Sequence, residues 1–138
     1  MRYLAPVLAL IVRGTAPVAE EIVGTPGDVV EGGGIFAAYC ATCHGDAARG
    51  NGRMSAVLTV LPPDLTGLAA DNDGVFPVSR VVRQIDGRDP MLAHGGAMPL
   101  FGDFFEGDDV VIPSESGQPI FTSRPIADVA AWLESVQE

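Results

Sequence analysis

The two cysteines of the chain lie three positions apart and are followed directly by a histidine, in the segment Cys40-Ala41-Thr42-Cys43-His44. Residues three positions apart lie on one side of a helical turn, so both thiols can reach the same edge of one flat ligand. The imidazole that follows them can bind a metal through a ring nitrogen. A CxxCH segment of this kind is typical of covalent haem c attachment, in which two thioether bonds join the protein to the vinyl groups of one porphyrin.

Three other interpretations of this segment stay open. A disulfide of the thioredoxin type needs a preceding apolar strand in a βαβ unit, whereas three glycines and a short helical stripe precede Cys40. A zinc site is disfavoured because the adjacent Cys43 and His44 are poorly placed to share one tetrahedral ion. Its four ligands would be Cys40, Cys43, His44 and His94. Chance occurrence is disfavoured because both cysteines of the chain fall inside the motif.

Methionine 98 offers a second iron ligand. It lies in a Gly-Ala-Met-Pro-Leu-Phe-Gly segment at 96–102, where the rigid Pro99 and the glycines would hold the sulfur in a turn. Methionine paired with histidine raises the haem potential and suits electron transfer, whereas a second histidine would lower it. His94 is the alternative sixth ligand of the iron. Met54 and Met91 are also thioethers, but neither lies next to the proline and glycines that would hold the sulfur in place.

Three apolar stripes with helical spacing predict the elements that position these groups. A glycine that can end a helix follows each of the first two stripes, and a proline suited to a first helical turn precedes the third. The stripes are Ile35, Phe36 and Tyr39 before Gly45; Val78, Val81, Val82 and Ile85 before Gly87; and Ile126, Val129, Ala130, Leu133 and Val136 after Pro125.

The segment 103–123 contains two short apolar runs on either side of a Pro-Ser-Glu-Ser-Gly turn cluster. This pattern predicts a small β-hairpin, and the alternative is a surface loop that covers the haem edge. The acidic residues Glu106, Asp108 and Asp109 lie close in sequence to the methionine segment. They are candidates for a docking face that recognises a basic partner, or simply for a solvated loop.

Composition limits the partners of this chain. Its 138 residues are about one domain, and 47% of them are hydrophobic, enough for one modest core. Eighteen acidic residues against eight arginines give a net charge of -10. This charge argues against binding nucleic acid or an anionic membrane surface, because both need a basic face. The 17 glycines and 11 prolines predict short elements joined by many turns.

The first 19 residues have the order of a secretory signal peptide. A short positive start containing Arg2 is followed by an apolar run from Leu4 to Val12 and then by small residues. The run is much shorter than the roughly 20 residues of a membrane-spanning helix, so a permanent anchor is disfavoured. We therefore expect a signal peptide at 1–19, a single domain at 20–138 and a periplasmic location.

The order of motifs resembles the small bacterial class I cytochromes c. From about Val30 to the end of the chain, a CxxCHG motif is followed by Pro-Asp-Leu, a helix ending in Ile-x-Gly, an MPxFG loop and a final helix. The resemblance implies an all-α cytochrome c fold, with three to five short helices around one haem. A small β-hairpin insertion is expected before the C-terminal helix.

The resemblance also implies the roles of the site residues. It implies one covalently bound haem c, with thioether bonds to Cys40 and Cys43, His44 as the proximal ligand and Met98 as the distal one. His94 matches no ligand position of the family, so Met98 is preferred. The segment 61–65 resembles the proximal loop in which a proline carbonyl, here assigned to Pro63, accepts a hydrogen bond from the ligand histidine. In the family the first and last helices also interlock, and the matching residues here are Gly32, Phe36, Val129 and Trp132.

These features predict an electron carrier rather than an enzyme. Its haem would transfer one electron between a dehydrogenase or quinol-oxidising complex and a terminal acceptor. The expected partners are redox proteins with a basic docking face, and neither nucleic acid nor a stable membrane anchor is expected. One alternative is a haem subunit of a larger oxidoreductase. Another is a gas-binding or sensing haem protein with an open sixth position.

Overall fold

The computed structural model describes residues 26–87 and 98–138. The predicted leader at 1–19 and the alternative ligand His94 lie outside the described residues, so these predictions stay untested. The first helical segment consists of α1 (Val29–Ile35), a π-helical turn (Phe36–Cys40) and α2 (Ala41–His44). The other helices are α3 (Val78–Asp86) and α4 (Arg124–Ser135), with short 3-10 turns at Ser55–Val57 and Ala70–Asn72.

Local capping explains where the first helical segment begins and ends. The Asp28 side chain accepts hydrogen bonds from the amides of Val30 (2.8 Å) and Glu31 (3.1 Å), which otherwise lack partners at a helix start. Gly45 ends the segment with a φ of 80°, as the sequence predicts. The first apolar stripe is buried only in part, because Phe36 is 2% exposed whereas Tyr39 is 48% exposed. The π-helical turn has a wider spacing than an α-helix and rotates the residues after Phe36 away from the 3.6-residue period.

The closest helix contact joins α1 to α4. A Cβ atom at Gly32 would overlap the backbone oxygen of Asp128, so glycine is required for the two backbones to approach this closely. Phe36 is 2% exposed, and its ring centroid lies 4.3 Å from that of Trp132. The amide of Asp28 also donates to the Asp128 carboxylate at 2.7 Å. The predicted pairing of Gly32 and Phe36 with the last helix is confirmed.

Helix α3 buries one apolar side and ends where the sequence predicts. Val81, Val82 and Ile85 are buried, and Gly87 closes the helix with a φ of 72°. The core of the described residues combines this side with α1, α4 and parts of the loops. Its largest fully buried side chains are Phe36, Val82, Ile126 and Val129. No described helix has the length and apolar character needed to cross a membrane.

The predicted hairpin is confirmed, and the alternative of an irregular loop is wrong. Strand β1 (Asp109–Pro113) pairs antiparallel with β2 (Pro119–Ser123), with Ile112 opposite Ile120. Alternation places Ile112 and Thr122 in the interior and leaves Phe121 exposed. The fold is therefore helical with an added two-stranded sheet, so an all-α description is incomplete. Wrapping of these helices around a haem stays a prediction.

Candidate haem-binding site

The loop after His44 folds back onto the CxxCH motif. The amide of Gly50 donates to the His44 carbonyl at 2.7 Å, and that of Gly52 donates to the Cys43 carbonyl at 3.1 Å. A further bond of 3.0 Å runs from the amide of Met54 to the Thr42 carbonyl. These bonds satisfy carbonyls that a helix end would otherwise leave unpaired. They also fix the backbone from which the second cysteine and the histidine project.

Glycines make this return possible, and the sequence analysis identified Gly45 only as a helix end and missed Gly50 and Gly52. Gly45 and Gly50 have φ values of 80° and 73°, which side chains of L-residues rarely allow. A Cβ atom at Gly52 would overlap the Thr42 carbonyl oxygen. The signal that would have revealed this loop is the presence of three glycines within eight residues of the histidine.

The two cysteines are free thiols at the junction of the π-helical turn and α2. Burial, together with the nearby Cys43, raises the pKa of Cys40 to about 11. This environment opposes ionisation of the thiol. A thioether has no ionisable proton, so the same environment accepts a Cys40 sulfur bonded to carbon. Within 26–87 and 98–138, no three His, Cys, Asp or Glu side chains converge as metal ligands.

The imidazole of His44 has one ring nitrogen in need of a partner. Its Nδ1 atom is buried and has no hydrogen-bond partner of normal geometry among the described residues. Burial lowers the pKa of His44, and the backbone of Pro63 opposes this by raising it. The Pro63 carbonyl is thus close enough to interact with the ring but falls outside normal hydrogen-bond geometry. The effect of burial is the larger one, so the pKa of His44 is lowered and the imidazole is neutral, which is the form that binds metals.

The loop that carries Pro63 packs against the loop that follows His44. A Cβ atom at Gly50 would overlap the Pro62 carbonyl oxygen and lie 2.9 Å from that of Pro63. The amide of Leu65 donates to the Ala48 carbonyl at 2.8 Å. The structure therefore brings Pro63 to His44, although the assigned role of its carbonyl in a haem-loaded protein stays a prediction.

Met98 is half-buried and packs against the hydrophobic core. The residues after it are tied to the end of α3: the amide of Phe101 donates to the Ile85 carbonyl at 2.9 Å, and that of Gly102 donates to the Asp86 carbonyl at 3.1 Å. These backbone bonds hold the methionine segment against the same core that supports the CxxCH helix. Ligation of iron by Met98 stays a prediction.

An aromatic cluster of Tyr39, Phe101, Phe104 and Phe105 joins the two halves of the site, and the sequence analysis missed it. The ring of Tyr39, the residue before Cys40, lies 5.4 Å from that of Phe105 in an edge-to-face arrangement. Phe105 stacks on Phe101 at 5.1 Å. The cluster therefore connects the attachment helix with the segment that follows Met98.

The described residues fit a haem c group. The two thiols are free, Nδ1 of His44 is buried without a hydrogen-bond partner among the described residues, the Pro63 backbone interacts with the His44 ring, and a thioether lies on the same core. Bound haem supplies one-electron redox chemistry, while the protein supplies ligands and excludes water. Apolar side chains in the loops that follow His44 and Met98 are also exposed, as a large flat apolar ligand requires. They include Val57, Val60, Leu61 and Leu100.

Replacing Met98 by alanine is expected to remove the weak sulfur-to-iron absorption band of the ferric holoprotein, because alanine has no donor atom. The control is Met54→Ala, which removes a thioether that is 42% exposed. This control is expected to keep the band. An unchanged spectrum in Met98→Ala would assign the sixth position to His94 or to another group.

Residues 27–112 match the family model described as Cytochrome C oxidase, cbb3-type, subunit III. This range covers more than half of the chain and contains Cys40, Cys43, His44, Pro63 and Met98. No curated protein sequence and no solved structure matches the chain. With its motif, its helices and this match, the chain belongs to the cbb3-type cytochrome c oxidase subunit III family and is a small c-type cytochrome domain of the kind that binds haem c for electron transfer.

Proposed function

We propose that this chain is an exported cytochrome that carries one electron on a single haem c. In this proposal Cys40 and Cys43 form the thioether bonds, and His44 and Met98 ligate the iron. The observation that carries the proposal is the arrangement at His44, where two free thiols precede an imidazole whose pKa is lowered by burial, whose buried Nδ1 has no hydrogen-bond partner among the described residues, and with which the Pro63 backbone interacts.

If His44 and Met98 both ligate the iron, no coordination position is open to a small molecule such as oxygen or carbon monoxide. Such a site favours electron transfer over the binding or conversion of small molecules. A histidine and methionine pair also keeps the potential high enough for a carrier that accepts electrons from a dehydrogenase or quinol-oxidising complex. Rapid binding of carbon monoxide by the ferrous protein at neutral pH would contradict this closed site. It would favour the gas-binding alternative.

The family name supports a second candidate, a haem subunit of an oxidase complex. The two candidates differ in their stable partners. A free carrier in the periplasm purifies alone, whereas a subunit purifies with its oxidase from detergent-solubilised membranes. Purification of the untagged full chain from its own cells therefore separates them.

Covalent attachment is tested by producing the full chain in cells that mature c-type cytochromes. We expect the mass of the mature protein to include one haem, and its colour to resist extraction with acidic acetone. Cys40→Ser and Cys43→Ser should each lose one thioether bond, and the double variant should lose all resistance to extraction. The exposed Thr42→Ser is the matched control, because it lies between the cysteines and leaves both thiols in place. A colourless wild-type protein would remove the basis of the proposal.

We further propose that a basic redox partner docks on an acidic cleft beside the methionine segment. The cleft has a volume of about 410 Å³, and its lining includes the carboxylates of Asp86, Asp103, Glu106 and Asp109. Phe105 also lines it, and the ring of Phe105 contacts Tyr39 next to Cys40. Three of these residues, Asp103, Glu106 and Asp109, are exposed, and on a chain with a net charge of -10 they are complementary to a basic surface. A partner in this cleft would lie next to the helix that carries the attachment cysteines.

The double variant Glu106→Gln/Asp109→Asn tests the cleft. With hexaammineruthenium(III) as a cationic oxidant, the bimolecular rate should fall several-fold at low ionic strength and approach the wild-type rate in high salt. With the anionic oxidant ferricyanide, the rate should not fall. The control Asp71→Asn/Glu134→Gln makes the same charge change at exposed sites outside the cleft lining. Equal effects of the two double variants would show that only net charge matters.

A further inference from the structure

We infer that Gln137 is a positioning residue for the proximal side of the haem site. It holds the segment 65–69, which follows Pro63, so that the Pro63 carbonyl stays beside His44. The inference rests on the proposed haem ligation and adds a residue that neither the motif nor the family match indicates.

The side-chain amide of Gln137 joins two elements by three hydrogen bonds. Its Nε2 donates to the carbonyls of Leu133 at 2.7 Å and Leu65 at 2.8 Å. Its Oε1 accepts from the amide of Ala69 at 2.9 Å. One side chain therefore ties the last turn of α4 to both ends of the segment 65–69. These bonds are partly buried, so water does not readily replace them when they are lost.

The backbone amide and carbonyl of Leu65 connect the Gln137 hydrogen bonds to the loop that follows His44. Its carbonyl is held by Gln137, and its amide donates to the Ala48 carbonyl at 2.8 Å. Ala48 belongs to the loop that folds back from His44. Leu65 is two residues from Pro63, so an anchor on Leu65 restricts where the Pro63 carbonyl can lie. A further bond of 3.0 Å, from the amide of Glu138 to the Thr66 carbonyl, supports the same segment.

The position of the Pro63 carbonyl has a redox consequence. An acceptor on the second ring nitrogen makes the imidazole of a ligand histidine a stronger donor, which stabilises ferric over ferrous iron. Loss of the three Gln137 bonds would let the 65–69 segment and Pro63 move, so in the holoprotein the Pro63 carbonyl would be a weaker acceptor for His44. The reduction potential should therefore rise, and the Nδ1 proton of His44 should exchange with solvent faster.

The test compares holoproteins of the full chain carrying Gln137→Ala, Gln137→Met or Ser135→Ala. Methionine keeps the length of the side chain and cannot form these three bonds, so it replaces the alanine variant should that one fail to fold. Ser135 is the control, because its hydroxyl makes a local bond of 2.7 Å to the Trp132 carbonyl at the same end of α4. The readouts are the reduction potential and the exchange rate of the His44 Nδ1 proton, followed by NMR.

For Gln137→Met we expect a higher potential and up to about tenfold faster proton exchange, the factor that corresponds to loss of one hydrogen bond, with both values unchanged in Ser135→Ala. A Gln137 variant that loses stability but keeps both values would overturn the inference and leave Gln137 a purely structural residue. Failure of the proposed function is distinguishable from this result. It would appear first in the wild-type protein, as the absence of covalent haem.

Discussion

Replacing Gly32 by alanine is expected to lower the free energy of unfolding of the holoprotein by about 3 kcal/mol, the upper end of what overpacking usually costs. The added Cβ atom would overlap the backbone oxygen of Asp128, which belongs to α4 and cannot rotate aside as a flexible side chain can. The two helices must therefore separate. Separation would weaken the ring contact between Phe36 and Trp132 and the bond of 2.7 Å from the Asp28 amide to the Asp128 carboxylate.

Gly34→Ala is the matched control for this prediction. Gly34 lies two residues further along the same helix, and a Cβ atom there would meet nothing within 4 Å. Alanine restricts the unfolded chain more than glycine does, so this variant should be more stable by up to about 1 kcal/mol. Urea unfolding of the two variants, followed by circular dichroism, measures both free energies. Similar losses in Gly32→Ala and Gly34→Ala would contradict a specific close approach of the helices.

Replacing Gly50 by alanine is expected to disturb the contact between the loop after His44 and the loop that carries Pro63. The substitution strains a residue with a φ of 73°, and its Cβ atom would overlap the Pro62 carbonyl oxygen and approach that of Pro63. The loop must move away from His44, which weakens the acceptor for Nδ1. If the lost interaction differs by about 1 kcal/mol between the two oxidation states, the reduction potential rises by about 40 mV.

Gly117→Ala is the control that distinguishes backbone strain from contact with the carbonyls of Pro62 and Pro63. Gly117 has a similar φ of 79°, but a Cβ atom there would meet nothing within 4 Å. This variant should lose about 1 kcal/mol of stability through backbone strain and keep the wild-type potential. Protein-film voltammetry gives the potentials, and chemical unfolding gives the stabilities. A rise in potential in both variants, or in neither, would contradict the assigned role of the Pro63 carbonyl.

The elements that the sequence predicts well are those set by local chemistry. Helix α3 follows from the spacing of its valines and ends at Gly87, and the hairpin follows from two apolar runs around a turn. The family match contains the same CxxCH motif that the sequence analysis singled out. Such features depend on residues within a few positions of one another, so a single sequence is sufficient to show them.

Other features depend on residues that are distant in sequence, and only the tertiary structure decided them. The apolar stripe assumes 3.6 residues per turn, which would place Tyr39 on the same side as Phe36. The π-helical turn has more residues per turn than an α-helix, and Tyr39 is exposed. Gln137 bridges α4 to Leu65 and Ala69, and nothing in the sequence near either segment indicates that pairing. By itself, the sequence predicted the candidate haem ligands, the proline expected beside His44 and the helices that carry them. The packing of distant loops brought Pro63 to His44, because that proximity depends on contacts between segments that local patterns do not relate.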